Sequence, residues 1–248
     1  MIRPAVLTIA GSDSGGNAGI QADLRTFHAY RLHGCSVITA LTAQNPFKVS
    51  AIHLPPVDFV AAQLDAVLGV YNIKALKIGM LSDPEVIDVI ADRLAKHPEI
   101  KKVVDPVMIA TSGARLISPA AVERLKEKLI PLATLVTPNL PEAEELGGDA
   151  KALYDKFGVA VLVKGGHRID GRAIDVLYEG RDEFLFELPK ITSPVSTHGT
   201  GCTLSAAIAS ELALGKDLVQ AITGAKSYVH KAIANSYHVG ENCGVLDF

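Results

Sequence analysis

Tryptophan is absent from this 248-residue chain, and aromatic residues make up only 5% of it. A core must therefore be built from Val, Ile, Leu and Ala, as in parallel sheets flanked by helices. Cysteine is scarce as well. Cys35, Cys202 and Cys243 are odd in number, widely spaced and without a C-x-x-C pair, which speaks against a disulfide framework or a zinc site and for a reducing compartment. There is no basic excess: 24 Lys and Arg against 27 Asp and Glu leave a formal charge of −3, so no field draws in nucleic acid or an anionic membrane. No apolar run approaches the length of a membrane span. The short run Val6 to Ala10 after Arg3 leads into a glycine-rich loop, not a cleavage site. A soluble cytoplasmic protein is expected.

What is present is alternation. Ala5 to Ala10, Cys35 to Ala43, Ala75 to Ile78, Val103-Val104, Leu135-Val136 and Val159 to Lys164 read as strands. Between them Ile20 to Leu32 and Val57 to Val70 have helical spacing, and Asp83-Pro84-Glu85 and Ser118-Pro119 are helix starts. Ala173 to Tyr178 and Glu183 to Leu188 predict a hairpin, and two long helices, about 201–214 and 218–236, finish the chain. This pattern implies right-handed βαβ crossovers and a mostly parallel sheet covered on both faces, in a three-layer α-β-α arrangement and a single domain over 1–248. Ligands of such sheets gather beyond the carboxyl ends of the strands. Gly11 to Gly19, Gln44-Asn45, Gly79-Met80, Asp105-Pro106, Thr137 to Glu142 and Lys164-Gly165-Gly166 all fall at that edge.

The sharpest segment is His198-Gly199-Thr200-Gly201-Cys202-Thr203, ahead of a run of small residues. A Gly-x-Gly turn opening a helix leaves backbone N–H groups pointing at one place, with the positive end of the helix dipole behind them, a setting for phosphate. Cys202 sits on that first turn. It is either a small buried hydrophobe or a reactive group, its thiol drawn down by the helix end and pushed up by any bound phosphate. Gly11 to Gly19 follows a strand and precedes a helix but fits neither G-x-G-x-x-G nor the P-loop, and 166–173 fails the P-loop as well. The first loop is a turn and helix cap or a cover over a small substrate. Asn139 and Glu142, three apart at a helix start, are a capping box, hard oxygen ligands for Mg²⁺, or both. Asp105 ends a strand before Pro106, as a turn or as part of that site. Lys164 is within reach of a phosphate or simply solvated, His198 and His167 suit positioning or structural roles, and Cys35 reads as core.

Ala10 to Gly19, Val37 to Asn45, Lys77 to Leu81, Asp105 to Met108, Thr137 to Glu145, Val161 to His167 and Thr197 to Ala207 together resemble the hydroxymethylpyrimidine/phosphomethylpyrimidine kinases of thiamine biosynthesis. These belong to the ribokinase-like superfamily and lie close to pyridoxal kinases. The resemblance implies ATP and Mg²⁺ as co-substrates and usually a homodimer acting on small molecules. It implies Gln44 as the partner of the aminopyrimidine ring, with Gly11, Asp23, Met80 and Val107 as further parts of that pocket. Asp105, Asn139 and Glu142 would form the Mg²⁺–phosphate region, Lys164 and Thr200 the nucleotide side, and Gly199 to Cys202 the anion hole. Cys202 stands where sugar kinases of the superfamily carry a catalytic Asp, which favours the pyrimidine/pyridoxal branch. Asn17 and Thr111 depart from the common pattern, which has Gly and Lys there. The rival readings are a pyridoxal/pyridoxine kinase and a non-catalytic carrier of a B6 aldehyde.

Overall fold

The structure is a computed structural model that describes residues 3–109, 113, 115–165 and 172–248. Thr111 and His167 lie outside the described residues, as does most of 166–173.

The first strand, β1 (Ala5–Asp13), sets the architecture. Its residues are apolar on both faces: Val6 and Leu7 are each fully buried, in two separate clusters. Such a strand needs a layer of helices on either side. One layer holds α1 (Gly19–Ala29), α7 (Thr200–Ala213) and α8 (Leu218–Ala234), packed on Val6, Ala75, Val103, Leu135 and Leu162. The other holds α2 (Val57–Leu68), α3 (Pro84–Leu94), α4 (Pro119–Arg124), α5 (Leu140–Leu146) and α6 (Ala150–Phe157), packed on Leu7, Ile9, Leu76, Ile78 and Val104. Between them lie β1, β2 (His33–Asn45), β3 (Lys48–His53), β4 (Ile73–Ile78), β5 (Lys101–Val104), β6 (Leu135–Val136), β7 (Ala160–Gly165), β8 (Arg172–Glu179) and β9 (Asp182–Pro189). They form one sheet in the order β3-β2-β1-β4-β5-β6-β7-β8-β9. Neighbours from β2 to β7 run parallel, and β3, β8 and β9 are antiparallel additions at the edges. The three-layer α-β-α class expected from the alternation is what forms.

The order reverses at β1, which has β2 on one side and β4 on the other, so the switch point at which such sheets form their crevice lies beyond its carboxyl end. Helix starts follow their local chemistry. Asp83 caps α3 by accepting from Glu85 N, and Ser118 caps α4 by accepting from Ala121 N, each with Pro at the next position. After α4 the chain widens into a π turn (Leu125–Leu129) and then tightens into a 3₁₀ turn (Ile130–Leu132), where Pro131 supplies no N–H to a continuing helix. Helix α7 lies close over the sheet because Ala206, Ala207, Ala209 and Ser210 have almost no side chain to hold it off.

Three expectations need correction. β1 continues through Gly11 to Asp13, because Ser12 and Asp13 stay in register with Leu41 and Thr42 of β2, and the loop shrinks to 14–18. Strand β3 escapes the sequence because its residues are almost all exposed and lack apolar alternation; Asn45, whose Oδ1 accepts from Phe47 N and Lys48 N, makes the turn into it. The chain does not end in helix. Tyr237–Gly240 (β10) and Cys243–Val245 (β11) form a separate antiparallel pair, which gives Cys243 its place. No described helix is long and apolar enough to cross a membrane.

Ile87 on α3 is fully buried in the larger cluster. Ile87→Ala is expected to cost about 2–5 kcal/mol, read as a lower urea midpoint with an unchanged slope.

Candidate active site

Asp13 closes β1 and builds the loop that follows. Its carboxylate accepts from the backbone N–H groups of Gly15 (2.8 Å), Asn17 (3.0 Å) and Ala18 (2.9 Å). His198 approaches the same carboxylate at 3.8 Å. Burial alone would raise the Asp13 pKa, but the nearby His198 and the hydrogen bonds from the three amides hold it below the usual carboxylate range. The loop is tied sideways to β2: Ser14 Oγ donates to Gln44 O at 2.9 Å, and Gln44 N donates back to Ser14 Oγ. Thr42 Oγ1 lies within hydrogen-bond reach of both Ser12 O and the Gln44 side-chain oxygen.

The helix opposite begins at Gly199, whose φ of +86° is left-handed. A Cβ there would collide with the Asn17 carbonyl, so only glycine lets α7 come this close to the loop. Thr203 N donates to Gly199 O at 2.9 Å, and no side chain caps the helix. Among the described residues nothing accepts from the backbone N–H of Gly201 or Cys202, which remain open at the mouth of the crevice. The amide of Gly19, first residue of α1, faces the Cys202 sulfur. Cys202 is half-buried. Burial pushes its thiol above the ordinary range; Lys77 pulls it down, Asp23 and Asp105 push it up, and the Gly19 amide pulls it down again.

Asp105, 1% exposed, sits just past β5. Lys164, at the end of β7, donates to it at 2.7 Å, Thr137 Oγ1 at 3.2 Å and Ser205 Oγ at 3.3 Å. Burial is overcome by Lys164 and Lys77, and the Asp105 pKa is held down. Lys164 shows the converse: burial would lower it, and Asp105 and Glu142 raise it. Asn139 and Glu142 do form the capping box of α5, with Glu142 Oε2 accepting from Asn139 N at 2.8 Å and Asn139 Oδ1 from Glu142 N at 2.9 Å. Glu142 Oε1 also accepts from Met108 N at 3.4 Å. Burial pushes Glu142 upward, with Lys164 opposing and Asp105 reinforcing. With these oxygens engaged, the set suits a cation that brings phosphate and water as most of its ligands. Among the described residues no three His, Cys, Asp or Glu side chains are placed to hold a metal ion on their own.

The strand-end residues therefore converge. A Cβ on Gly11 would lie 3.2 Å from the Met80 sulfur, so these two share one wall. A Cβ on Gly201 would stand 3.6 Å from Lys164 Nζ and 3.9 Å from Asp105, so the α7 turn and the ion pair share another. Val107 follows Asp105 and is half-buried. Thr200 has its hydroxyl turned to Thr197 O at 3.0 Å. Asp23 is different. It is fully buried, with Lys77 Nζ at 2.9 Å and 3.0 Å and the Thr8 hydroxyl at 2.5 Å, so it underlies the crevice and does not open into it. Asp13, Thr137, Ser205 and Lys77 were not singled out in the sequence. Lys77 did leave a signal, a lysine inside the otherwise apolar strand Ala75-Leu76-Lys77-Ile78.

The phosphomethylpyrimidine kinase family model matches residues 13–247. A hydroxymethylpyrimidine/phosphomethylpyrimidine kinase of Rhizobium meliloti is 48% identical over 96% of this chain and 94% of its own. The thiamine biosynthesis bifunctional protein ThiED of Geobacter sulfurreducens is also 48% identical, over 99% of this chain, which spans 52% of that longer protein. The structure of a Bacillus subtilis pyridoxal kinase in an ADP complex superposes with a TM-score of 0.91 at 35% identity, covering 99% of this chain and 97% of that one.

The Asp13 carboxylate yields a pH-dependent prediction. A depressed folded-state pKa gives stability that is complete above about pH 4 and is lost as pH falls through the folded value. Asp13→Asn is expected to cost about 2 kcal/mol near neutral pH, with the deficit closing in acid. Urea midpoints of both proteins from pH 7 to pH 3 check this; a constant deficit contradicts it.

Proposed function

Since the chain belongs to the phosphomethylpyrimidine kinase family, we propose that it transfers the ATP γ-phosphoryl to 4-amino-5-hydroxymethyl-2-methylpyrimidine and then to the resulting monophosphate. One observation carries this reading. The unsatisfied amides of Gly201 and Cys202 stand beside the Asp105–Lys164 pair, with Gln44 at the end of β2 tied to the 14–18 loop that meets the same turn. The first wall suits a phosphoryl group and the second an aminopyrimidine, because an amide both donates and accepts and so matches an amino group beside a ring nitrogen.

In this reading the transfer is in-line, and the chain's contribution is position and charge. The two amides and the Lys164 ammonium hold the oxygens of the moving phosphoryl where charge accumulates. Gly11, Met80 and Val107 form the apolar wall against the ring. Cys202 takes the acceptor's hydroxyl proton or completes the hole as a donor. Mg²⁺ arriving with the nucleotide would be held through Asp105, Asn139 and Glu142, largely by way of water, and would neutralise charge on the phosphate oxygens. We place the reaction in the cytoplasm, in one domain spanning 1–248. We also take the active form as a homodimer; Phe47 at 66% exposure and Phe59 at 59% leave apolar surface beside the β3 edge for a second copy.

The likeness to a pyridoxal kinase supports one second reading, in which pyridoxal or pyridoxine is the acceptor. Coupled ADP-release assays with the pyrimidine alcohol, its monophosphate and pyridoxal test both. The proposal requires the highest kcat/KM on the pyrimidine; preference for pyridoxal overturns it. Pyridoxal binding with no ATP turnover would instead leave only a carrier.

Cys202→Ala is expected to lower kcat by about 10²–10³, measured in the same assay. Near-normal turnover across the pH range would remove the thiol from the chemistry. Gln44→Ala should raise KM for the pyrimidine and leave KM for ATP unchanged.

A further inference from the structure

Strand β2 changes phase in its middle. In its first half Cys35 and Val37 stand opposite Leu7 and Ile9 of β1, and all four are buried in the larger cluster. In its second half Ala40 stands opposite Gly11 and Thr42 opposite Asp13, so even-numbered residues take over the face that odd-numbered ones held. Burial follows the same switch, through Cys35, Val37 and Thr39 and then Ala40 and Thr42. An extra residue between Ile38 and Ala40, a β-bulge, makes the change. In an unbulged strand Thr39 would face Gly11 and Leu41 would face Asp13, and Gln44 would leave by the opposite side of the sheet. Instead Gln44 follows Thr42, whose hydroxyl lies 3.1 Å from the Gln44 side-chain oxygen.

The bulge falls where β2 has lost its outer neighbour. Among the described residues β3 pairs with β2 from Leu41 to Asn45, and Ile38 lies before that stretch. Gln63 on α2 takes the place of the missing strand. Its Oε1 accepts from Ile38 N at 2.9 Å, and its Nε2 donates to Ile38 O at 3.2 Å. Val60 and Leu64, both fully buried, seat α2 on the sheet on either side of Gln63. The extra residue itself is tied inward: Thr39 Oγ1 donates to Met80 O at 2.8 Å, beside the wall that Met80 shares with Gly11.

Resting on the kinase reading above, we propose that Gln63 is a positioning residue for acceptor recognition. By bonding both backbone groups of Ile38 it holds the bulge that turns Gln44 toward the acceptor ring. A register one residue out would present Ala43 or Asn45 on that face, and neither has the side chain of Gln44 at that depth. A carboxamide discriminates a ring only when its donor and acceptor are held in a fixed direction. If Gln63 merely satisfied the edge of β2, its loss would lower stability without favouring either substrate. Positioning acts on the acceptor alone, and it acts through Gln44.

A double-mutant cycle between Gln63→Leu and Gln44→Ala tests this in the coupled ADP assay with the pyrimidine alcohol. Gln63→Leu should raise KM for the alcohol by about tenfold, the weight of one hydrogen bond to the ring, and leave KM for ATP unchanged. In the Gln44→Ala background the same substitution should add less than about twofold, because the group it positions is already gone. Gln63→Glu keeps the acceptor for Ile38 N and lacks the donor for Ile38 O, so a smaller shift in the same direction is expected. In substrate-free Gln63→Leu protein, hydrogen exchange should quicken at Ile38 and through 40–44. Variants that retain their thermal transition overturn the assignment if the two effects add in full, if KM for the alcohol stays at wild type, or if 40–44 exchange at wild-type rates. Should pyridoxal prove the better acceptor, the pyrimidine reading falls, and the exchange measurement, which needs no substrate, still decides the role of Gln63.

Discussion

No helix can satisfy its own first amides, and the shape of this protein's crevice follows from leaving two of them open on α7. Elsewhere in the chain Asp83, Ser118, Asn139, Asp149 and Asp217 supply side-chain caps. At α1, α2 and α7 there is none, and at α7 the left-handed Gly199 turns the chain without filling the space a cap would occupy. The close passage of Gly199 by the Asn17 carbonyl then locks the 14–18 loop against the same turn. Asp13 organises that loop from its other side. Strand β1 thus delivers one end of the site and α7 the other, and backbone contact between them sets the spacing.

Charge is arranged around this gap in buried pairs. Asp105 with Lys164 places an ammonium group beside the open turn, and Asp23 with Lys77 forms a second, fully buried pair beneath the crevice. The pairing keeps both lysines charged in a place where burial alone would neutralise them. A kinase that works by holding phosphate oxygens needs such fixed positive charge more than it needs a strong base, and the raised Cys202 thiol is consistent with that division. The family membership and this geometry agree on phosphoryl transfer, and the pyrimidine acceptor is the step beyond them.

Much of this was readable from residue order because strand ends and helix starts have local causes. The Asn139–Glu142 box, the Asp83-Pro84 and Ser118-Pro119 starts and the Gly199–Cys202 turn each follow from neighbours within a few positions. Convergence of Gln44, Met80, Asp105 and Lys164 on one edge followed from parallel strand order alone. What stayed hidden depends on distant partners. Asp23 sits on the buried face of α1, but only the fold reveals that Lys77, 54 residues away, takes up its carboxylate. Asp13 looked like a loop residue until β2 extended the strand around it. Strand β3 is held by hydrogen bonds to β2 and carries no apolar signature.

Amide chemical shifts offer the most direct test of the open α7 turn. Titrating ¹⁵N-labelled protein with a non-hydrolysable ATP analogue, Mg²⁺ and the pyrimidine alcohol should move the Gly201 and Cys202 resonances more than those at the starts of α3, α4 and α8, whose caps are already satisfied. If Gly201 and Cys202 stay still while another helix start responds, the phosphoryl group is bound elsewhere and the account fails.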